Sequence, residues 1–278
     1  MLIQQSIKLT TFTLICLISN IRTVSSSVNP HSIDGRHSFS LTTFDPTGHL
    51  QQVESAIRAS TLGVPVICAK YDGGIVFVSP HAHALPSPLI RDVGTLRITH
   101  ICKNIVVAHS GVGADGRVLV AEAQRIAIEH AYTFDEDIPI TSFLNQLALL
   151  YQKYTMKASV RPFGCALLVA HCGGDDSDHD CQIYQLDPSG ALQLMDEGIG
   201  MIGKEGQLAN RRDISALLRN PELNMSRDKV TSEIVSAMKR DDEMIDAMNL
   251  GNNNREKFTS FLVASLSFGG RLQLDVRD

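Results

Sequence analysis

This chain of 278 residues has no tryptophan, no C-x-x-C pair and no run of five like charges, and its aromatic residues amount to only 5%. Lys and Arg number 25 against 30 Asp and Glu, for a formal charge of −5 and a pI near 6.0. That balance argues against binding nucleic acid by phosphate neutralisation, and no nucleic-acid partner is expected. The six cysteines stand at positions 16, 68, 102, 165, 172 and 181. Such scattered residues do not form a disulfide framework, so they are expected to be unpaired. What the chain does have is 44% hydrophobic residues, too many for a disordered segment and enough for one large core.

The opening MLIQQSIKLTTFTLICLISNIRTVSSS has one Lys ahead of an apolar run, then small polar residues. On hydrophobicity it reads as signal-like. Thr10, Thr11 and Thr13 interrupt the run, which is too short to span a hydrocarbon core, so no membrane anchor is expected. Residues 1–30 are therefore read as a signal-like or disordered extension, and residues 31–278 as one domain, because no linker, charge block or repeat divides them.

Within that domain the hydrophobic period changes in a fixed order. Apolar runs at 64–69 and 75–78 flank the turn Asp72-Gly73-Gly74, and runs at 96–101 and 104–109 make a second hairpin. From 115 to 132 the apolar residues recur at three and four, as in an amphipathic helix. A second helix is expected after Pro139, a residue suited to the first helical position. Strands return at 165–170, 182–186 and 191–195, followed by helical patterns at 204–218 and 226–248 and strands at 259–266 and 271–276. Hairpins, two helices, hairpins, two helices and strands do not make alternating βαβ units. The order suits two antiparallel sheets covered by helix pairs, a four-layer αββα sandwich of the α+β class.

Three clusters invite a chemical reading. Gly111-Val112-Gly113-Ala114-Asp115-Gly116 matches G-x-G-x-x-G between a strand and a helix, the context of a dinucleotide fingerprint. The helix is followed by another helix and not by a parallel strand, so a glycine-rich turn is the expected role. Residues 171–181 hold two His, two Cys and four Asp, ligand types for zinc or a hard cation, but without paired C-x-x-C or EF-hand spacing they read as a solvated hairpin loop. His81 and His83, among Pro80, Pro86 and Pro88, read as loop. No G-x-S-x-G, no H-E-x-x-H and no S-x-x-K accompanied by its partner motifs supplies a nucleophile or metal, and Cys68, Cys102 and Cys165 sit in apolar runs as core thiols.

Residues 38–56, SFSLTTFDPTGHLQQVESA, resemble the N-terminal signature of proteasome alpha subunits, with Asp45, His49 and Ser55 where the pattern has Ser, Arg and Tyr. The opening SFSLTTF looks most like the second alpha type. SGVGADGRVLV at 110–120, Tyr154-Thr155 followed by VRPFG at 160–164, and DPSGA at 187–191 match in the family's order. The resemblance implies the N-terminal nucleophile hydrolase fold, in agreement with the element order.

The proteolytic beta relatives use an N-terminal Thr with an Asp and a Lys, and the α-amine acts as base. The resemblance puts Val64, Pro80 and Arg97 at those positions, so no peptidase activity and no cofactor or metal are expected. It implies instead a heteroheptameric ring in the cytoplasm and nucleus, partnered by other alpha subunits, the adjacent beta ring and the C-terminal tails of regulatory activators. Arg97, Gly63 and Val112 fall where the family lines its activator-docking pocket, an Arg fork replacing the Lys that pairs the tail carboxylate. His37, Ser38, Pro46 and Ser55 fall at the gate positions. Two other readings stay open: a hydrolase activated by cleavage before an internal Ser, Thr or Cys, and a secreted metal binder using the 171–181 loop and the Asn224 sequon.

Overall fold

The computed structural model describes residues 44–45, 48–81, 97–157, 160–173, 181–196, 198–204, 226–248, 260–267 and 270–277, all of them within one compact unit, Phe39–Asp278. The extension 1–30, the boundary after it, His37, Ser38, Pro46, His83, Asn224 and most of the expected helix at 204–218 lie outside the described residues.

Among the described residues, ten strands form two five-stranded sheets. The first hairpin is β1 (Val66–Tyr71) and β2 (Gly74–His81); the second is β3 (Ile98–Cys102) and β4 (Ile105–Gly111). β5 (Cys165–Cys172), β6 (Cys181–Leu186) and β7 (Leu192–Leu194) follow, then β8 (Ile199–Ile202), β9 (Ser260–Ser267) and β10 (Arg271–Arg277). Sheet A has the order β10-β9-β2-β1-β8 and sheet B the order β3-β4-β5-β6-β7. Every pairing in both is antiparallel.

The strands at the centre of each sheet are apolar on both faces because each face is covered. Val66, Cys68, Ile75, Phe77, Val106, Ala108, Leu168 and Ile183 meet between the sheets. The alternate residues Ile105, Val107, Leu167 and Val169 turn outward onto two helices, α2 (Gly113–Phe134) and α3 (Ile140–Met156). On the other side Ile67, Val76, Val78 and Val263 meet Val230, Ile234, Ala237 and Met238 of α4 (Arg227–Met248). Helix, sheet, sheet and helix make the expected four layers, and each buried Leu, Ile, Phe or Val side chain stabilises them by about 1.5–3 kcal/mol.

The helices are set by spacing and by their ends. Leu119, Ala123, Ile126 and Ala127 are the buried stripe of α2, which stops at Asp135, a residue in the left-handed region at φ 56° whose N–H donates to the Ala131 carbonyl. Phe143, Leu144, Leu147 and Tyr151 are the stripe of α3. Pro139 caps this helix from outside, with ψ 138° and its carbonyl accepting the Phe143 N–H at 3.0 Å. It therefore stands one place before the expected first helical position. A further helix, α1 (Gln51–Thr61), precedes β1 and buries Val53 and Ala56; the resemblance placed it at about 47–60.

Other findings depart from the sequence reading: His81, read as loop, is the last residue of β2. The short β8 carries no alternation, because all four of its residues are buried, and it completes sheet A beside β1. Cys172 and Cys181, expected to be free, are disulfide-bonded with Cα atoms 4.2 Å apart. The register of the β5–β6 hairpin places them directly opposite each other, which their spacing of nine residues does not reveal. Cys68 and Cys165 are buried thiols, as expected, and Cys102 is a half-buried one.

Candidate functional site

Sheet B gives way to α2 at one end of the sandwich, and the quoted motifs converge there. At the end of β4 the Ser110 hydroxyl donates to the Val64 carbonyl at 2.6 Å, tying this strand to the entry of β1. Gly63 packs so closely that a Cβ there would stand 2.1 Å from the Gly111 nitrogen. Gly111 has φ 122°, and a Cβ on it would meet the Gly164 carbonyl oxygen at 2.3 Å. On Gly116 a Cβ would strike the His109 ring at 2.2 Å, whereas Gly113 has nothing within 4 Å. The glycines of G-x-G-x-x-G thus serve backbone turning and side-chain packing, which supports the turn reading over a nucleotide site.

Asp115 locks this turn to the segment before β5. Its carboxylate accepts from both terminal nitrogens of Arg161, at 2.6 and 2.7 Å, and from the Gly164 N–H at 2.9 Å. The Val112 N–H donates to the Gly164 carbonyl at 2.9 Å. Burial pushes the Asp115 carboxyl up, but the Arg161 hydrogen bonds, the Gly164 N–H and the Arg161 charge outweigh it and hold it below the ordinary value of 3.8. The sequence offered both partners within its motifs, but their pairing across the fold was not anticipated.

Of the expected docking residues, the structure brings Gly63 and Val112 together: Gly63 packs on Gly111, and Val112 follows it with its side chain partly exposed. Arg97 lies just before β3, and its carbonyl accepts the His109 N–H at 2.9 Å, two residues ahead of Gly111. Partial burial pulls the Arg97 guanidinium below its ordinary value. Burial, aided by the Arg97 charge, drives His109 down to about 4, so its imidazole is neutral at neutral pH. The His109 Nδ1 is buried without a partner. Ser55, of the gate set, is exposed on α1.

The positions matching the proteolytic residues are also in place. Val64 is half-buried with its carbonyl held by Ser110, and Pro80 is buried on β2 opposite Phe261. The neighbouring Ser79 hydroxyl donates to the Pro65 carbonyl at 3.1 Å. A valine, a proline and an arginine supply neither a hydroxyl nucleophile nor a carboxylate here, and a guanidinium does not readily lose its proton. A cavity of about 290 Å³ lies near this end, lined by Ile57, Ser60, Gln185, Gln193, Met201 and other residues, but by none of the three residues expected to dock a tail. Among the described residues no cluster of three His, Cys, Asp or Glu could hold a metal ion, and no helix is long and apolar enough to cross a membrane. Residues 174–180 of the acidic loop lie outside them.

The family described as "Proteasome subunit" matches residues 60–256. The chain belongs to the proteasome subunit family. Membership accounts for the convergence of 60–64, 110–116 and 160–164 on one strand-to-helix junction. Among curated relatives, the chain is 40% identical over 158 residues to "Proteasome subunit alpha type-2-A" of Arabidopsis thaliana, covering 57% of this chain and 65% of the relative. It is 40% identical over 156 residues to "Proteasome subunit alpha type-2" of Drosophila melanogaster, covering 56% and 64%. It is 37% identical over 155 residues to the protein of the same description in Trypanosoma brucei brucei, again covering 56% and 64%. The chain thus spans slightly less than two thirds of the length of these proteasome relatives.

Proposed function

We propose that this chain is a non-catalytic alpha-ring subunit of the proteasome core, acting in ring assembly, pore gating and docking of regulatory activators for protein degradation. The single observation that carries the reading is the junction at Gly111. There the family's alpha motifs meet, while Val64 stands where a catalytic subunit needs a threonine. In this reading its partners are other alpha subunits and the adjacent beta ring, its place is the cytoplasm and nucleus, and it takes no cofactor.

Within that role Arg97, Gly63 and Val112 line the pocket for an activator's C-terminal tail. The Arg97 fork offers two donors to the terminal carboxylate, and its partial burial strengthens the pairing by thinning the competing water. Gly63 holds this wall by its close approach to Gly111, and Val112 presents an exposed side chain beside it. His37, Ser38, Pro46 and Ser55 make up this subunit's share of the gate, where Ser55 offers an aliphatic hydroxyl in place of the family's tyrosine.

A native pull-down of the tagged full chain, with mass spectrometry of its partners and of its own N-terminus, tests the assembly claim. Near-equal amounts of other alpha and beta subunits support it. A chain recovered alone, or cut so that it begins at an internal Ser, Thr or Cys, returns the hydrolase reading. In assembled particles, Arg97→Ala is expected to weaken activator binding at least tenfold while leaving subunit composition unchanged. Unchanged activator binding removes Arg97 from the pocket.

A further inference from the structure

Cys172 and Cys181 are the last residue pair in the register of the β5–β6 hairpin. They are disulfide-bonded, and both are buried in the core between the sheets. The ladder next to them is already made by His171 opposite Gln182 and Ala170 opposite Ile183. The two sulfurs are therefore brought together by strand pairing and not by the bond itself. Across the core, the Cys172 Sγ lies 3.9 Å from the Leu266 carbonyl oxygen of β9. In the thiol form that carbonyl is an acceptor for the Cys172 S–H, so this sulfur keeps a polar partner when the bond is broken.

The other cysteines described do not compete for this partner. Cys68 and Cys165 are buried within β1 and β5, and burial pushes their thiols up to about 12. What separates them from the pair is register: Cys68 lies opposite Phe77 and Gly200, and Cys165 opposite Gly111, so neither faces another cysteine as Cys172 faces Cys181. Cys102, half-buried on β3, is also raised, by burial first.

We propose that Cys172 and Cys181 form a reversible thiol–disulfide couple, a modification site closed by a low-molecular-mass disulfide such as glutathione disulfide and reopened by glutathione. In the closing reaction one cysteine gives its proton to water, and its thiolate attacks glutathione disulfide. A mixed disulfide forms and one glutathione thiolate leaves. The second cysteine, deprotonated in turn, attacks the protein-side sulfur and expels the second glutathione thiolate. Two electrons pass from the pair to glutathione disulfide, and the two protons end on the two glutathione thiols. The closed state limits fraying of the hairpin end; the open state leaves the ladder to hold it.

The test equilibrates the full chain across a series of glutathione to glutathione-disulfide ratios, quenches with acid, and alkylates in denaturant with N-ethylmaleimide before peptide mapping. Cys172 and Cys181 are expected to lose their labels together through one two-electron transition, linked to each other, while Cys68, Cys102 and Cys165 are labelled at every ratio. Labels on both at every ratio overturn the proposal, as does a bond that native chain keeps in excess dithiothreitol, a glutathione adduct that never resolves, or a link to another cysteine. Cys181→Ser is expected to abolish the transition, and because the wild-type titration stands alone, a variant that fails to fold does not rescue the idea. The oxidised chain is expected to melt roughly 5 °C above the reduced chain, from the entropy of a closed loop of this size. A midpoint indifferent to the ratio overturns the claim that the bond restrains the hairpin.

Discussion

The Asp115 carboxylate and the Arg161 guanidinium face each other in a two-pronged pair, 2.6 and 2.7 Å between heavy atoms, that joins the first turn of α2 to the segment leading into β5. The partners are unequal: the Asp115 side chain is 9% exposed and that of Arg161 62%. Removing the arginine strands a buried carboxylate, whereas removing the charge on Asp115 leaves a guanidinium that water can solvate. Arg161→Met is therefore expected to cost about 3 kcal/mol. Asp115→Asn, which keeps an acceptor for the Gly164 N–H, is expected to cost only about 1 kcal/mol. Urea unfolding of the two variants checks the order; equal costs, or a reversed order, contradict the asymmetry.

Stability should also fall with acid in two separable windows. His109 has a folded value of about 4 against an ordinary 6.5. The unfolded chain therefore takes up its proton first, and the stability that neutral His109 contributes is complete above 6.5 and declines as pH drops toward 4. Between pH 6.5 and 5 this amounts to about 2 kcal/mol. His109→Gln removes the titration and should flatten that part of the profile. Asp115, held below 3.8 in the fold, contributes stability above that value and loses it as pH falls further. Matching slopes for wild type and His109→Gln between pH 7 and 5 would falsify the assignment.

The three glycines of 111–116 should respond differently to alanine. At Gly113, first residue of α2 with open space around it, alanine is expected to be neutral or to stabilise by up to about 1 kcal/mol through a less flexible unfolded chain. At Gly116 the new methyl meets the His109 ring, and at Gly111 it meets the Gly164 carbonyl in a left-handed backbone. Each is expected to lose at least about 2 kcal/mol. Melting temperatures of the three variants distinguish this pattern from a phosphate cradle, in which stability would be insensitive to which glycine is changed.

A fourth expectation concerns the core beneath α3. The Tyr151 hydroxyl donates to the Cys165 carbonyl at 2.9 Å, and its ring stands edge-on to Phe163 with centroids 5.7 Å apart. Tyr151→Phe keeps the ring contact and loses the hydrogen bond, for a cost of about 1–2 kcal/mol. A variant as stable as wild type in chemical denaturation would mean that the hydroxyl adds nothing to the fold.

These relationships mark where local pattern stops being informative. α2 and α3 were legible because Leu119, Ala123 and Ile126, and Phe143, Leu147 and Tyr151, repeat at the helical period. The hairpins were legible from turns such as Asp72-Gly73-Gly74. β8 was not, because Ile199, Met201 and Ile202 are interrupted by glycine and are buried on both faces, which erases alternation. Asp115 and Arg161 each lay inside a quoted motif, yet nothing local links residues on opposite sides of two helices. The disulfide failed for the same reason: only the β5–β6 register shows that Cys172 faces Cys181. At the strand-to-helix junction, Gly63 and Val112 were singled out by resemblance, and the reason for the glycine emerged only from its approach to Gly111.

The strand orders carry a consequence for synthesis. In sheet B each strand neighbours the next in the chain, from β3 to β7, so this half and the helices packed on it can assemble while later residues are still on the ribosome. Sheet A cannot close in that way, because β2 waits for β9, which follows all of sheet B in the chain. Until then the edge of β2 that pairs β9 stays open. Without β9 the edge of β2 has no partner and the apolar residues that meet Phe261, Val263, Ala264 and Leu266 are left uncovered.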